Sequence, residues 1–359
     1  LSDRPLKETF GTAAGEKAVP NVSFNGLSLK SVQFSRTDRI PVSLTAAIDR
    51  TEKTLLLALY DLRLSEVAEA LLRAKARGVD IRLVYDEGHA KPAAPGAAGA
   101  SPEYQALVDA GVPTRLLKGG GSFGIMHHKY AIFDGKLLMA GSFNWTRAAD
   151  DRNFENAEFR TDKALLEGFT RNWKWMWGLS KAGFGTPPAD PQKPVSFAGG
   201  RFPRYAFSPQ GGVEGLLLDA IRRSKRTIDV AMFSLYSQPV AAALVEARAR
   251  GVVVRVVSDA MQARRSQAMR ALADGGADLR LSAGRGGLGV MHHKYALFDG
   301  ALLMSGSYNF SANAELYNFE NDLFTTSKAE VGAFGGEFAA VWAQAHAPSP
   351  EELPAPKSL

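Results

Sequence analysis

Two histidines, two lysines and two aspartates recur in this sequence at one fixed spacing. His127-x-Lys129 is followed after four residues by Asp134, and His292-x-Lys294 by Asp299 in the same way. On an extended strand, alternation puts His127 and Lys129 on one face and His128, Tyr130 and Asp134 on the other. His292 and Lys294 separate from His293, Tyr295 and Asp299 likewise. Each chemical face then offers a nucleophile or proton donor beside a fixed positive charge, which is what phosphodiester cleavage requires. The intact ester is an anion that repels nucleophiles, and its transition state spreads charge over oxygens that Lys129 and Lys294 neutralise. One imidazole attacks phosphorus; the other protonates the leaving oxygen and then activates water. These tasks need opposite protonation states, so two copies are required. One chain supplies both, which implies an active monomer.

The copies belong to a longer duplication. Gly124–Gly135 (GIMHHKYAIFDG) returns as Gly289–Gly300 (GVMHHKYALFDG), AGSFNW at 140–145 as SGSYNF at 305–310, and NFEN at 153–156 as NFEN at 318–321. The offset is a constant 165 residues, and it also relates Trp177 to Trp342. Upstream, residues 56–86 match 229–259 at an offset of 173, and the Ala/Pro/Gly-rich connection 90–102 accounts for the difference. That connection reads as a surface loop.

The elements that must position the motif repeat too. An apolar strand near 54–60 (227–233) leads into a helix with Leu64, Val67, Ala68, Leu71 and Leu72 on one face. Gly78 and Gly251 stand where C-terminal caps belong. A second buried strand follows at Asp80–Tyr85 (Val252–Ser258). The motif then enters a hairpin whose turn is Asp134-Gly135 (Asp299-Gly300). A long helix near 163–178 (328–344) closes each half. Strands alternating with helices predict an α/β fold with a mixed, largely parallel sheet covered by helices. The expected organisation is an N-terminal extension (1–40), a first half (41–182), a Pro/Gly-rich linker (183–204), a second half (205–346) and a tail (347–359).

His-x-Lys-x4-Asp, then Gly-Ser-x-Asn, then Asn-x-Glu-Asn, twice in one chain, resembles the phospholipase D superfamily. The resemblance implies two similar α-β-α halves about a pseudo-twofold axis, a covalent phosphohistidine and neither metal nor cofactor. Carried onto this chain, it makes His127 and His292 nucleophile and general acid, with His127 favoured as nucleophile. Lys129, Lys294, Asn144 and Asn309 would hold the phosphate, with Ser142 and Ser307 beside them as supports. Glu155 and Glu320 would bond the far nitrogen of each catalytic histidine. Asp134 and Asp299, on the other strand face, read as structural. No family position is missing, which argues against a non-catalytic binding module.

The other features read blandly. His128 and His293 face away and pack inside; His89 and His346 carry no function. A zinc site on the paired histidines conflicts with the interleaved lysines and the opposed strand faces. Gly119-x-Gly121-x-x-Gly124 and Gly284-x-Gly286-x-x-Gly289 match a dinucleotide fingerprint but precede a strand, so they read as flexible loops at the lip of a cleft. Trp173, Trp175 and Trp177 read as core or interface, whereas Arg264 and Arg265, just after a strand, are placed to touch substrate.

Composition bounds the substrate without choosing it. The 359 residues carry 45% apolar and 22% charged side chains, as a globular protein does, and no uninterrupted apolar run long enough for a transmembrane helix. There is no cysteine, which excludes disulfides and thiolate chemistry. A cysteine-free chain beginning at Leu1 fits a processed, secreted or periplasmic protein better than a cytosolic one. The net charge of +6 favours anionic partners. Nucleic acid is the expected substrate, on charge, motif flavour and the lack of an evident exposed apolar segment; a phospholipid headgroup is the alternative.

Overall fold

The computed structural model describes residues 19–91, 100–179 and 183–356. The expectations for the processed N-terminus and for most of the 90–102 loop lie outside the described residues.

Each half is a seven-stranded sheet between two helical layers. In the first sheet the order is Val32–Phe34, Asn156–Arg160, Leu137–Gly141, Lys129–Phe133, Thr54–Leu59, Asp80–Asp86 and Thr114–Leu117. The second repeats it with Tyr205–Ser208, Glu320–Thr325, Leu302–Gly306, Lys294–Phe298, Thr227–Met232, Val253–Asp259 and Asp278–Ser282. The strand that begins at each motif lysine thus lies at the centre of its sheet. Parallel pairing is confined to the last three strands of each order, and the other pairings are antiparallel. The sheets are therefore mixed, as expected, but not largely parallel. Only the strands joined through a helix need a crossover; the motif strand returns directly through a hairpin.

That hairpin turns where the sequence says it should. Asp134 and Gly135 both take positive φ, 51° and 63°, and Asp299 and Gly300 take 54° and 60°. These are the two central residues of a tight turn closed by the Lys136 N–H to the Phe133 carbonyl at 2.8 Å, within a three-residue connection between the paired Phe133 and Leu137. Asp134 adds a second function there. Its carboxylate accepts the backbone N–H groups of Glu52, Lys53 and Thr54 at 3.0, 2.7 and 2.9 Å and the Asn25 amide at 2.8 Å. Asp299 does the same for Lys225, Arg226 and Thr227. The motif aspartates thus tie the turn to the start of the central parallel strand, far from any chemistry.

On the outer face of the first sheet, helices Ile40–Asp49, Ser65–Ala76 and Pro102–Asp109 bury Leu44, Val67, Leu71 and Leu107 against Leu55, Leu57 and Leu83. Each fully buried aliphatic side chain of this kind contributes about 1.5–3 kcal/mol. The inner face is covered by Lys163–Gly178, where Trp173 is buried and donates its indole N–H to the Leu57 carbonyl at 2.8 Å. Lys328–Gln344 covers the corresponding face of the second sheet. The inner cores are shared between the halves: Phe319, Tyr205 and Leu323 pack with Tyr130 and Phe169, while Val32, Phe34 and Phe154 pack with Tyr295 and Phe334.

Three stretches read from the sequence as extension, linker and tail carry structure, the first of them in the extra strand expected around 30–36. Val32–Phe34 is the edge strand of the first sheet, paired with Asn156–Glu158. Val195–Phe197 and Gly200–Phe202 form a hairpin. Leu353 is buried in the second half's core, and Arg270 donates to the carbonyls of Pro350 and Pro354. Proline and glycine mark turns within such segments as readily as they mark free linkers.

Candidate active site

His127 and His128 precede the strand that begins at Lys129, and the extended backbone keeps the alternation that separates the two histidines. Their position is set from the opposite half. The His127 N–H donates to the Phe319 carbonyl at 3.0 Å, and the Phe319 N–H to the Ile125 carbonyl at 3.0 Å. Across the pseudo-twofold, His292 donates to Phe154 at 3.1 Å and Phe154 to Val290 at 3.1 Å. The Phe of each NFEN segment is thereby stitched to the approach of the other half's motif. The glutamate one residue further on falls beneath the other half's histidine.

The His–Glu pairs are consequently crossed. His127 Nδ1–H donates to Glu320 at 2.8 Å, and His292 Nδ1–H to Glu155 at 2.8 Å. An Nδ1–H held by a carboxylate leaves Nε2 free to act as nucleophile or to carry the proton of an acid. Both glutamates are fully buried and further braced. Ser307 Oγ donates to Glu320 at 2.6 Å and Asn318 Nδ2 at 3.0 Å; Ser142 Oγ donates to Glu155 at 2.7 Å. Ser142 and Ser307, expected beside the phosphate, thus direct their hydroxyl protons at the glutamates. Asn144 and Asn309 differ: in each, the buried Oδ1 has no protein partner, so these side-chain amides have hydrogen-bonding capacity to spare.

Charge is concentrated in this water-poor centre. Lys129 and Lys294 are 1% exposed, and each donates to a carbonyl two residues back, that of His127 at 2.6 Å and of His292 at 2.8 Å. Their ammonium groups lie over the rings of Tyr60 and Phe233, at 4.8 and 5.0 Å from the centroids. Burial lowers Lys129 well below its ordinary value and Lys294 to about 8, with Glu320 and Glu155 opposing. Burial likewise lowers His292 to about 4 and His127 well below the usual imidazole range; both lysines add to the effect at each histidine. Each lysine is therefore felt at both histidines, so the two centres form one electrostatic unit. Burial also pushes Glu320 up to about 7, against the pull of Lys129.

A family model described as "Cardiolipin synthase, PLD-like domain" matches residues 44–177 and again 217–342. The chain belongs to the phospholipase D superfamily. It is 28% identical over 159 residues to a mitochondrial cardiolipin hydrolase of Chlamydomonas reinhardtii, a match covering 44% of this chain and 66% of that protein. It is 33% identical over 129 residues to a phospholipase D of Rickettsia prowazekii, covering 35% and 57%. Its matches thus span less than two thirds of those relatives' own length. The fold is that of phosphatidylserine synthase from Haemophilus influenzae, with a TM-score of 0.66 at 11% identity over 92% of this chain and 89% of that one.

Around this centre of a phospholipase D superfamily member, the structure adds residues that the motifs did not single out. Asp86 and Asp259, at the ends of their strands, accept the N–H groups of Met126 and Met291 at 2.9 and 3.1 Å and so fix the approach to each histidine. Asn153 and Asn318 bridge from the glutamates to the N–H groups of Val290 and Ile125 in the other half. Each follows the strand pattern or the NFEN repeat, so duplication alone was a signal. His128 is buried, as expected, with Nδ1 bonded to Asn321 at 2.9 Å, and His293 to Asn156 at 3.1 Å. His89, read as without function, lies 4.2 Å from Tyr60 between ring centroids, and Tyr60 lies 4.8 Å from His127.

Two sequence readings of the surroundings change. The glycine-rich loops are clamped rather than flexible. The Gly120 N–H donates to the Tyr317 carbonyl at 2.8 Å and the Arg285 N–H to the Arg152 carbonyl at 2.7 Å, each across to the other half. A Cβ on Gly119 would meet the Tyr317 carbonyl at 2.3 Å, and one on Gly289 the Arg152 carbonyl at 2.1 Å, so glycine is required by close approach. The apolar surface that composition did not reveal is present as well. Phe123 and Leu288, equivalent residues four before His127 and His292, are 81% and 76% exposed. Arg264 and Arg265 are exposed beside Met261, just beyond the strand that ends at Asp259.

Proposed function

We propose that this protein is a metal-independent phosphodiesterase working through a phosphohistidine at His127. The observation that carries the reading is the crossed pair of buried His–Glu bonds around two buried lysines. Neutral His127 Nε2 attacks phosphorus, forming the N–P bond as the P–O bond to the leaving group breaks. His292, protonated at Nε2, gives its proton to the departing oxygen. Water then attacks phosphorus while His292 takes one of its protons, the N–P bond breaks, and both imidazoles return to their starting states. A phosphodiester anion beside Lys129 and Lys294 offsets the charges that keep His292 neutral in the empty centre, so substrate itself loads the acid. Asn144 and Asn309 complete the phosphate contacts.

Phospholipid is the substrate class the observations favour. Relatives named for cardiolipin and for phospholipase D support it, and so do the apolar side chains exposed beside the centre. Nucleic acid, expected from the sequence, is the second reading and rests on the net charge of +6. The test is a parallel assay, with chelator present, on anionic and zwitterionic phospholipid vesicles and on single-stranded and duplex nucleic acid. Headgroup release lost in both His127→Ala and His292→Ala supports the proposal. Nucleic-acid cleavage alone would reverse the substrate order; undiminished turnover in either variant would remove the shared-centre mechanism.

A further inference from the structure

We infer that the rim of the centre is a docking surface for an anionic phospholipid bilayer, with Phe123 and Leu288 as its two insertion points. Only the inference that catalysis follows docking rests on the phosphodiesterase reading. Among the described residues, eight large apolar side chains are exposed, and five belong to segments bordering the motif: Phe123, Met261, Leu288, Leu316 and Tyr317. Soluble surfaces carry single exposed apolar residues routinely, but a concentration at one mouth marks an interaction site.

The mounting of these residues sharpens the argument. Phe123 sits in a loop held by its own carbonyl, which accepts the Asn313 amide of the opposite half at 3.0 Å, and by the Gly124 N–H bonded to Gly120 at 3.0 Å. Leu288 follows Arg285, whose guanidinium donates to the Ser35 carbonyl at 2.8 Å. A floppy loop would fold its apolar tip back onto the protein. These loops are fixed at both ends with the tip outward, and the duplication places one on each side of the centre. Two such anchors, one from each half and each four residues before a motif histidine, would hold a bilayer surface against the rim of the centre.

Charge and side-chain type choose the occupant. Exposed Lys118 and Arg152 flank the two tips, and exposed Arg264 and Arg265 flank Met261, with Asp151 and Glu352, the latter 3.9 Å from Arg264, as acidic neighbours. Cations around an apolar tip suit the headgroup layer of an anionic membrane. Base stacking needs flat aromatic or guanidinium faces. Phe123, Tyr317 and the arginines offer such faces, but three of the five exposed apolar side chains, Leu288, Met261 and Leu316, have none and suit acyl chains.

The test is vesicle flotation of the full chain with phosphatidylglycerol–phosphatidylcholine vesicles, comparing the wild type with the Phe123→Ser/Leu288→Ser double variant. Burying two such side chains is worth enough that their loss should weaken vesicle partitioning at least about 10-fold. Hydrolysis of the small soluble diester bis(p-nitrophenyl) phosphate, which needs no interface, is measured on the same samples. Weak vesicle binding with retained soluble turnover supports the inference. Unchanged vesicle binding in the variant, or none in the wild type, overturns it. Loss of single-stranded nucleic-acid binding with vesicles unaffected overturns it in favour of base stacking. A wild type that binds vesicles but hydrolyses no diester counts against the phosphodiesterase reading and leaves the docking surface standing.

Discussion

The crossed wiring makes a prediction that same-half pairing does not: Glu320→Gln should disable the His127 centre, and Glu155→Gln the His292 centre. Glu320 receives three donors. Oε1 lies 2.9 Å from His127 Nδ1 and 3.0 Å from Asn318 Nδ2, while Oε2 lies 2.8 Å from His127 Nδ1 and 2.6 Å from Ser307 Oγ. A glutamine in either orientation points an NH2 at Asn318 or at Ser307, which now donate. It also replaces the carboxylate that holds the proton on Nδ1. A charge-assisted hydrogen bond contributes about 1.5–3 kcal/mol, or roughly 10- to 150-fold in rate. Loss of the correct tautomer takes comparable catalytic histidines toward about 10⁴-fold. The expected loss for Glu320→Gln is therefore about 10²–10⁴-fold.

Bis(p-nitrophenyl) phosphate separates the two steps, because p-nitrophenolate departs without needing a proton. In rapid-mixing experiments Glu155→Gln should keep the p-nitrophenol burst from phosphohistidine formation and slow the turnover that follows. Glu320→Gln should lose the burst itself. Mass spectrometry of the acid-quenched and alkali-quenched enzyme should find a p-nitrophenylphosphoryl group on His127 in the first variant. A burst kept in Glu320→Gln and lost in Glu155→Gln would refute the assignment of His127 as nucleophile. Equal damage to both steps by each variant would refute the crossed division of labour.

Asp134→Ala should lower the thermal midpoint, corresponding to about 2 kcal/mol or more for three backbone donors left without their carboxylate. The kcat per folded molecule should be unchanged, and a calorimetric scan beside an active-site titration checks both. His128 predicts a pH effect. Burial lowers its imidazole to about 4, so between there and the unfolded value near 6.5 the unfolded chain binds a proton that the folded one does not. This contribution is complete above about pH 6.5 and lost as pH falls toward 4, amounting to about 3 kcal/mol. Denaturant titrations over that range should show a shallower pH slope in His128→Asn than in the wild type; equal slopes would count against a buried neutral imidazole.

What was legible in the sequence was local or repeated. The Asp134-Gly135 turn follows from two adjacent residue types, and the buried face of Ser65–Ala76 from helical spacing. The chemistry-bearing residues stood out because the chain states them twice. Contacts between halves were not legible. No local rule shows that Glu320 serves His127, because that pairing depends on Phe319 being stitched to Ile125 across 194 residues. The glycine loops were misread for the same reason: their glycines answer to carbonyls of Tyr317 and Arg152 in the other half. The antiparallel majority of each sheet escaped because alternation of strands and helices says nothing about which strands become neighbours. Phe123 was invisible as a surface feature, since exposure belongs to the tip of a clamped loop and not to its composition.

The shared motif also leaves one thing unexplained that the reaction requires. Two identical His–Lys–Glu–Asn sets would be interchangeable, yet in the proposed reaction one histidine attacks while the other holds a proton. The difference has to come from outside the repeat, and the structure departs from symmetry next to the histidines. Tyr60 stands over His127 and Lys129 where Phe233 stands over His292 and Lys294. Beyond Tyr60 are Asp61 and His89; beyond Phe233 the same positions hold Ser234 and Gln262, hydrogen-bonded to each other at 3.1 Å. At these three positions the first half therefore offers its histidine a phenol, the Asp61 carboxylate and a third imidazole, and the second an apolar ring and two neutral side chains. A duplicated ancestor supplies two equal centres. The differences at 60, 61 and 89 from their counterparts 233, 234 and 262 make the two centres unequal, and the crossed glutamates ensure that a change on one side is felt by both.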